Sequence, residues 1–166
     1  EERLRHLAEY ALRAATERPT AVVELYAGCG VITLFLARVA ESVTAVEADR
    51  NAVAAAARNA RRNGVDNVRW ICGDAERIAR ELGKDTVPDL VVADPPRAGL
   101  PPRLREQIAR GWGRRMILVS CHPPALVRDL RALLSGGWRV LEVQPWDMFP
   151  QTGHIEVVAV LERPGR

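Results

Sequence analysis

Short apolar runs rich in Val, Ile and Ala alternate with segments of helical period along almost the whole chain. Most of them end in a small, acidic or turn-forming residue. The runs are Ala21–Tyr26, Ser42–Glu47, Asn67–Cys72, Asp89–Ala93 and Arg114–Ser120. Between them the periodicity predicts a helix over Val31–Ala40 and another running from Asp49 as N-cap to a stop at Asn63-Gly64. Asp74 opens a third helix. Leu104–Trp112 and Pro124–Leu134 are two more, the last ended by Gly136-Gly137. Upstream, Leu4, Leu7, Ala8, Ala11, Leu12 and Ala15 recur at helical spacing before Pro19. Strands that alternate with helices imply a mostly parallel sheet covered on both faces. Trp138–Gln144 and Ile155–Glu162 follow as an antiparallel closing pair. The expected fold is α/β: a doubly wound, mostly parallel, seven-stranded sheet with an antiparallel last strand.

A chain of 166 residues, 48% of them hydrophobic, is long enough for one domain with a single well-buried core. No segment approaches the ~20 apolar residues of a membrane span, and no signal-peptide pattern opens the chain. The first residue is Glu1, not Met, which leaves two readings open, a domain cut from a longer protein and a reduced relative of one. The three cysteines, Cys29, Cys72 and Cys121, form no CxxC pair and no zinc spacing, and their odd number argues against a disulfide framework. A reducing cytoplasm is the natural setting, with no metal expected. The net charge is +3, and Lys84 is the only lysine among 24 basic residues. Such arginine use suits phosphate contact, and equally follows from arginine-rich codon usage.

In open α/β sheets, ligands bind beyond the carboxyl ends of the strands, where several small or acidic residues of this chain fall. Gly28 and Gly30 follow the first strand and let backbone approach a ligand closely. Thr33 stands where the third glycine of a dinucleotide fingerprint would be, which disfavours a bound pyrophosphate. Glu47 ends the second strand about twenty residues on, where a carboxylate accepts hydrogen bonds from ribose hydroxyls. Asp74, after the third strand, can accept from an adenine amino group, cap the next helix, or do both. Glu24-Leu25-Tyr26-Ala27-Gly28-Cys29-Gly30, Glu47 and Asp74 together resemble the S-adenosylmethionine site of class I methyltransferases, whose Rossmann-like sheet has an antiparallel last strand. The resemblance implies a cofactor set of Tyr26, Gly28, Gly30, Val31, Glu47, Asp74 and Asp94.

Asp94-Pro95-Pro96-Arg97-Ala98-Gly99 follows the fourth strand as a stiff turn that holds Asp94 and Arg97 at the strand mouth. Adenine-N6 methyltransferases end the comparable motif in an aromatic residue; Arg97 here speaks against methylation of a purine amine. Beside Ser120-Cys121-His122-Pro123 and the late Asp147-Met148-Phe149-Pro150-Gln151-Thr152-Gly153-His154-Ile155-Glu156, the pattern resembles the catalytic domain of the RNA uridine-5-methyltransferases, over nearly the whole chain from about Ala21.

That family methylates C5 of a uridine in tRNA or ribosomal RNA. The resemblance implies that Cys121 is the nucleophile that adds at C6 of the pyrimidine and that Glu156 is the base that removes the C5 proton. It further implies that Asp94 and Arg97 orient the substrate and that His154 helps position backbone. The chain departs from the family at His122, where Asn is common, at Gln151, where His is common, and at Val31, where Asn is common. Family enzymes carry a Phe- and Gln-containing motif, a small RNA-binding β-barrel and a central domain upstream, and none of these is contained in these 166 residues. No iron–sulfur cysteine cluster is expected here either. The expected partner is structured RNA, gripped weakly by this domain alone; no membrane is expected, and a monomer is. The alternatives are a class I methyltransferase with another substrate and a non-catalytic remnant that binds cofactor or RNA.

Overall fold

The computed structural model describes residues 19–147, 151–152 and 155–164. The upstream helix and the positions of Met148, Phe149, Pro150, Gly153 and His154 lie outside the described residues. Within them, strands β1 (Ala21–Leu25), β2 (Ser42–Glu47), β3 (Val68–Cys72), β4 (Leu90–Ala93), β5 (Arg115–Ser120), β6 (Arg139–Trp146) and β7 (Glu156–Glu162) form one sheet in the order β3-β2-β1-β4-β5-β7-β6. Its helices are α1 (Val31–Val39), α2 (Arg50–Arg62), α3 (Ala75–Leu82), α4 (Pro102–Ala109) and α5 (Pro123–Ser135). The β1–β2, β2–β3, β1–β4 and β4–β5 pairs are parallel, and β7 runs antiparallel to both β5 and β6. The doubly wound sheet with a reversed last strand is therefore as the sequence predicts.

The central strands owe their composition to burial on both faces, and every residue of β4 is buried. One face packs Val23, Leu25 and Val91 against Ile78, Leu104 and Leu133 of α3, α4 and α5. The other packs Val22, Val43 and Val92 against Leu36 and Ala37 of α1. Trp138 is fully buried and its indole N–H donates to the Ile108 carbonyl at 2.9 Å, fastening the end of α4 to the entry of β6.

Three boundaries differ from the sequence reading by two residues or more, for identifiable reasons. Helix α4 begins at Pro102 rather than Leu104, because a proline in the first turn lacks only an N–H that would be unpaired there. It ends at Ala109 rather than Trp112, because the indole of Trp112 leaves the helix to enter the core at 4% exposure. Strand β6 continues through Pro145 to Trp146; it is an edge strand, where proline is tolerated.

The order places β1 and β4 side by side while their crossovers lead to opposite sides, the point at which such sheets open a crevice. The carboxyl ends of β1 to β5 share one edge of the sheet. The reversed β7 brings its amino end, with Glu156, to that same edge.

Candidate active site

The turn after β1 is braced by the end of β2. Glu47 accepts the Gly28 N–H at 2.9 Å with one carboxylate oxygen and the Asp49 N–H at 2.9 Å with the other. Each oxygen keeps a lone pair for a further donor. A Cβ at Gly28 would meet nothing within 4 Å, so this turn faces open space. Gly30 is different: a Cβ there would lie 2.8 Å from the Trp70 ring and 3.1 Å from the Ala56 Cβ, so its bareness serves packing of α2 and β3. Val31 follows as the first residue of α1.

Tyr26 holds a left-handed backbone at φ 64, uncommon outside glycine, which turns the chain away from β1. Burial, with Asp74, Glu76 and Asp129 nearby, pushes its phenol up to about 12, so it remains a neutral donor. Asp74 caps α3, accepting the Arg77 N–H at 2.8 Å with one oxygen. The capping role is thus present, with the second oxygen available to a ligand.

At the other half of the edge, the Ser120 hydroxyl accepts the His122 N–H at 3.2 Å and lies 3.3 Å from the His122 carbonyl. This small turn puts Cys121 at its apex, half-buried, directly before α5. The β5–β7 ladder pairs Ser120 with Val157. Cys121 follows Ser120 just past the end of β5, and Glu156 precedes Val157 as the first residue of β7. Nucleophile and base candidates, far apart in sequence, therefore come to the same end of two adjacent strands.

Asp94 follows Ala93, which pairs with Leu25 on one side and Leu118 on the other, so Asp94 stands between the cofactor-side turn and the Cys121 strand. Asp94 retains solvent exposure, yet the atoms crowding its carboxylate desolvate it and raise its pKa. Burial and the neighbouring Asp94 charge raise Glu156 in turn. Arg97 is exposed, and among the described residues it makes neither a hydrogen bond nor an ion pair. The structure thus gives Arg97 a free guanidinium and does not show it holding Asp94 or the thiol.

One acidic group escaped the sequence reading as a site residue. Glu24, one position before the end of β1, is 2% exposed, and its Oε2 has no hydrogen-bond partner. The Thr33 hydroxyl nearby is equally without one, so it eases the burial without satisfying the carboxylate. Burial, and secondarily Asp94, lifts the Glu24 pKa from 4.5 to about 8. The signal was available: a lone Glu in Ala-Val-Val-Glu-Leu breaks an otherwise apolar strand.

This shift sets a pH dependence. Between about 4.5 and about 8 the folded chain holds a proton that the unfolded chain has released, so stability falls as pH rises through that window. Glu24→Gln removes the titration. The variant is expected to gain on the parent by on the order of 3–5 kcal/mol between pH 5 and pH 9. Urea unfolding of both chains at the two pH values measures this; parallel pH slopes would show that Glu24 is not held neutral by the fold.

The profile of the tRNA (uracil-5-)-methyltransferase family matches residues 3–164. The chain belongs to that family. An RNA methyltransferase of Gloeobacter violaceus is 43% identical over 142 residues, covering 86% of this chain and 30% of the relative. One from Caldanaerobacter subterraneus is 45% identical over 143 residues, covering 86% and 32%. The chain thus spans about a third of the length of these curated relatives. Among solved structures, the Pyrococcus abyssi tRNA (uracil-54, C5)-methyltransferase in complex with S-adenosyl-L-homocysteine superimposes with a TM-score of 0.78 at 28% identity, over 95% of this chain and 38% of that one. A precorrin-6y C5,15-methyltransferase from Geobacter metallireducens gives the same TM-score of 0.78 at 13% identity and shares the fold alone. Within the tRNA (uracil-5-)-methyltransferase family, this domain thus has the Rossmann-like methyltransferase sheet.

Proposed function

We propose that this domain transfers a methyl group from S-adenosylmethionine to C5 of a uridine in RNA, through covalent addition of Cys121 to C6. The observation that supports the reading is the β5–β7 register, which brings Cys121, just past β5, and Glu156, first in β7, to one end of adjacent strands, with Asp94 just past the adjoining β4.

The edge fits a ribose-bearing cation. Glu47 offers its free lone pairs to the ribose hydroxyls, the second oxygen of Asp74 suits an adenine amino group, and the open side of Gly28 leaves room between them. The orphaned Oε2 of Glu24, with Asp94 near it, answers the positive charge of the sulfonium and ammonium groups. A cation brought to Glu24 lowers its pKa again and lets the carboxylate ionise where it is useful. When bound, S-adenosylmethionine supplies an electrophilic methyl group to the substrate carbon.

The residues of the chain do the remaining work. C5 of uracil is too weak a nucleophile unaided. The Cys121 thiolate forms a bond to C6, and the ring electrons move through C5 toward O4 as an enolate, making C5 carbanion-like. The free guanidinium of Arg97 is available to balance that enolate charge. After methylation Glu156 takes the C5 proton, the C5–C6 double bond re-forms and the thiolate leaves. Desolvation of Glu156 raises its proton affinity, which suits a base that must remove a proton from carbon.

Uridine in tRNA or ribosomal RNA is the acceptor, and the family description and the Pyrococcus abyssi enzyme favour tRNA. In the two relatives about two thirds of the length lies outside the matched region, room for domains that grip RNA. RNA carrying 5-fluorouridine tests the reading, since a fluorine at C5 leaves no proton for the base. With S-adenosylmethionine present, the full chain is expected to form a covalent RNA complex that survives denaturation, and with ordinary RNA to yield 5-methyluridine. Neither product with a range of unmodified tRNA and ribosomal RNA would sink the proposal.

A further inference from the structure

The turn that carries Asp94 and Arg97 is gripped from a distance by one buried carboxylate. Asp129, in the second half of α5, has a side chain only 1% exposed. One of its oxygens accepts the Leu100 N–H at 2.8 Å, and the other accepts from the Arg105 guanidinium of α4 at 2.8 Å. Arg128 donates to the same carboxylate at 2.8 Å and, with the same nitrogen, to the Ala98 carbonyl at 2.7 Å. The segment between these two grips is Gly99, whose N–H closes a turn onto the Pro96 carbonyl at 2.7 Å. Gly99 has φ +75, and a Cβ there would lie 2.4 Å from the Asp129 carboxylate and 2.7 Å from the Arg128 guanidinium. The backbone therefore rests against the carboxylate with no room for a side chain.

The same helix begins at Pro123, two residues after Cys121, so Asp129 lies nearly two turns, on the order of 10 Å, along a rigid rod from the end nearest the nucleophile. A fully paired, buried carboxylate with three donors holds its geometry tightly. We propose that Asp129, with Arg128 and Arg105, is a positioning cluster that ties the 94–100 turn to the helix that follows Cys121. It fixes the distance between the thiol on one side of the uracil and Asp94 and Arg97 on the other. The inference rests on the uridine-methylation reading.

Its signature is a loss in the chemical step with cofactor binding kept. Asp129→Asn keeps an acceptor for Leu100 but loses the charge that holds two guanidinium groups. Misplacement of reacting groups by about 1 Å costs about 100-fold. We expect the single-turnover rate of adduct formation on 5-fluorouridine RNA to fall about 30- to 100-fold, with S-adenosylmethionine affinity by calorimetry within about 2-fold. Gly99→Ala pushes the same turn off the carboxylate by steric contact while leaving its charge in place, and should give the same split. It also serves if Asp129→Asn fails to fold.

All measurements are made at least ten degrees below each variant's Tm, so that loss of stability alone does not register. Parental rates in a folded Asp129→Asn or Gly99→Ala chain would overturn the inference while leaving the uridine reading intact. So would an equal loss of cofactor affinity and rate. Absence of any adduct in the parent chain would instead count against the uridine reading. In that case faster hydrogen exchange at the Leu100 amide in Asp129→Asn, with cofactor affinity unchanged, still supports the tie, and unchanged exchange overturns it.

Discussion

Cys121→Ala is expected to abolish methyl transfer to uridine, by about 10⁴-fold or more, while S-adenosylmethionine binding stays within about two-fold. The size of the loss follows from the chemistry. Without a bond at C6 the uracil ring keeps its conjugation, and C5 has no enolate character with which to attack. No neighbouring group offers a substitute, since the Ser120 hydroxyl is 5% exposed and engaged with the backbone of His122. The fold should be little affected: the thiol is half-buried at a turn apex, outside both core clusters. Radiolabelled methyl incorporation into RNA, run beside calorimetry with the cofactor, measures both quantities. Turnover retained within ten-fold would exclude covalent catalysis by this thiol.

Glu156→Gln should lower turnover by about 10²–10⁴-fold through a different step. Addition at C6 and methylation of C5 still proceed, but the C5 proton has no acceptor, so the RNA remains attached to Cys121. The variant should therefore accumulate a methylated covalent complex on ordinary RNA, visible as a retarded band on a denaturing gel. The pH profile adds a second reading. Burial and Asp94 raise Glu156 above its ordinary 4.5, and a base must be deprotonated to act. The activity of the parent chain should therefore rise with pH through a limb displaced upward from 4.5, and Asp94→Asn should move that limb back toward it. A variant that turns over without trapped RNA would leave Glu156 no role as the base.

Much of the sheet was legible because its strands are local objects. Val-rich runs such as Ser42–Glu47 and Arg114–Ser120 end within a residue of their observed limits, and Asp49 and Asp74 cap the helices they precede. What could not be read is what joins residues across the fold. The closing pair of strands was apparent, but the insertion of β7 between β5 and β6 depends on tertiary packing, and with it the arrival of Cys121 and Glu156 at one end of adjacent strands. Asp129 looked like an ordinary helix residue, because its partner amide at Leu100 lies 29 positions away. Trp112 carried helical periodicity yet left the helix, since filling the core outweighed one more turn. Glu24 stood in plain view as an odd acid in an apolar strand, but its unpaired oxygen is a property of what surrounds it.

The reversed direction of β7 has a consequence for what this fold can tolerate. Asp74, Asp94 and Cys121 lie just past the strands that lead to them, on outgoing chain, so each depends on the turn that carries it. Glu156 arrives on incoming chain, paired with Trp146, as the first residue of a strand that has seven rungs to β6 and six to β5. A single residue lost inside β7 would turn every following side chain to the opposite face, because the alternation has a period of two. A change of length immediately after Glu156 is thus ruinous to the strand that carries it.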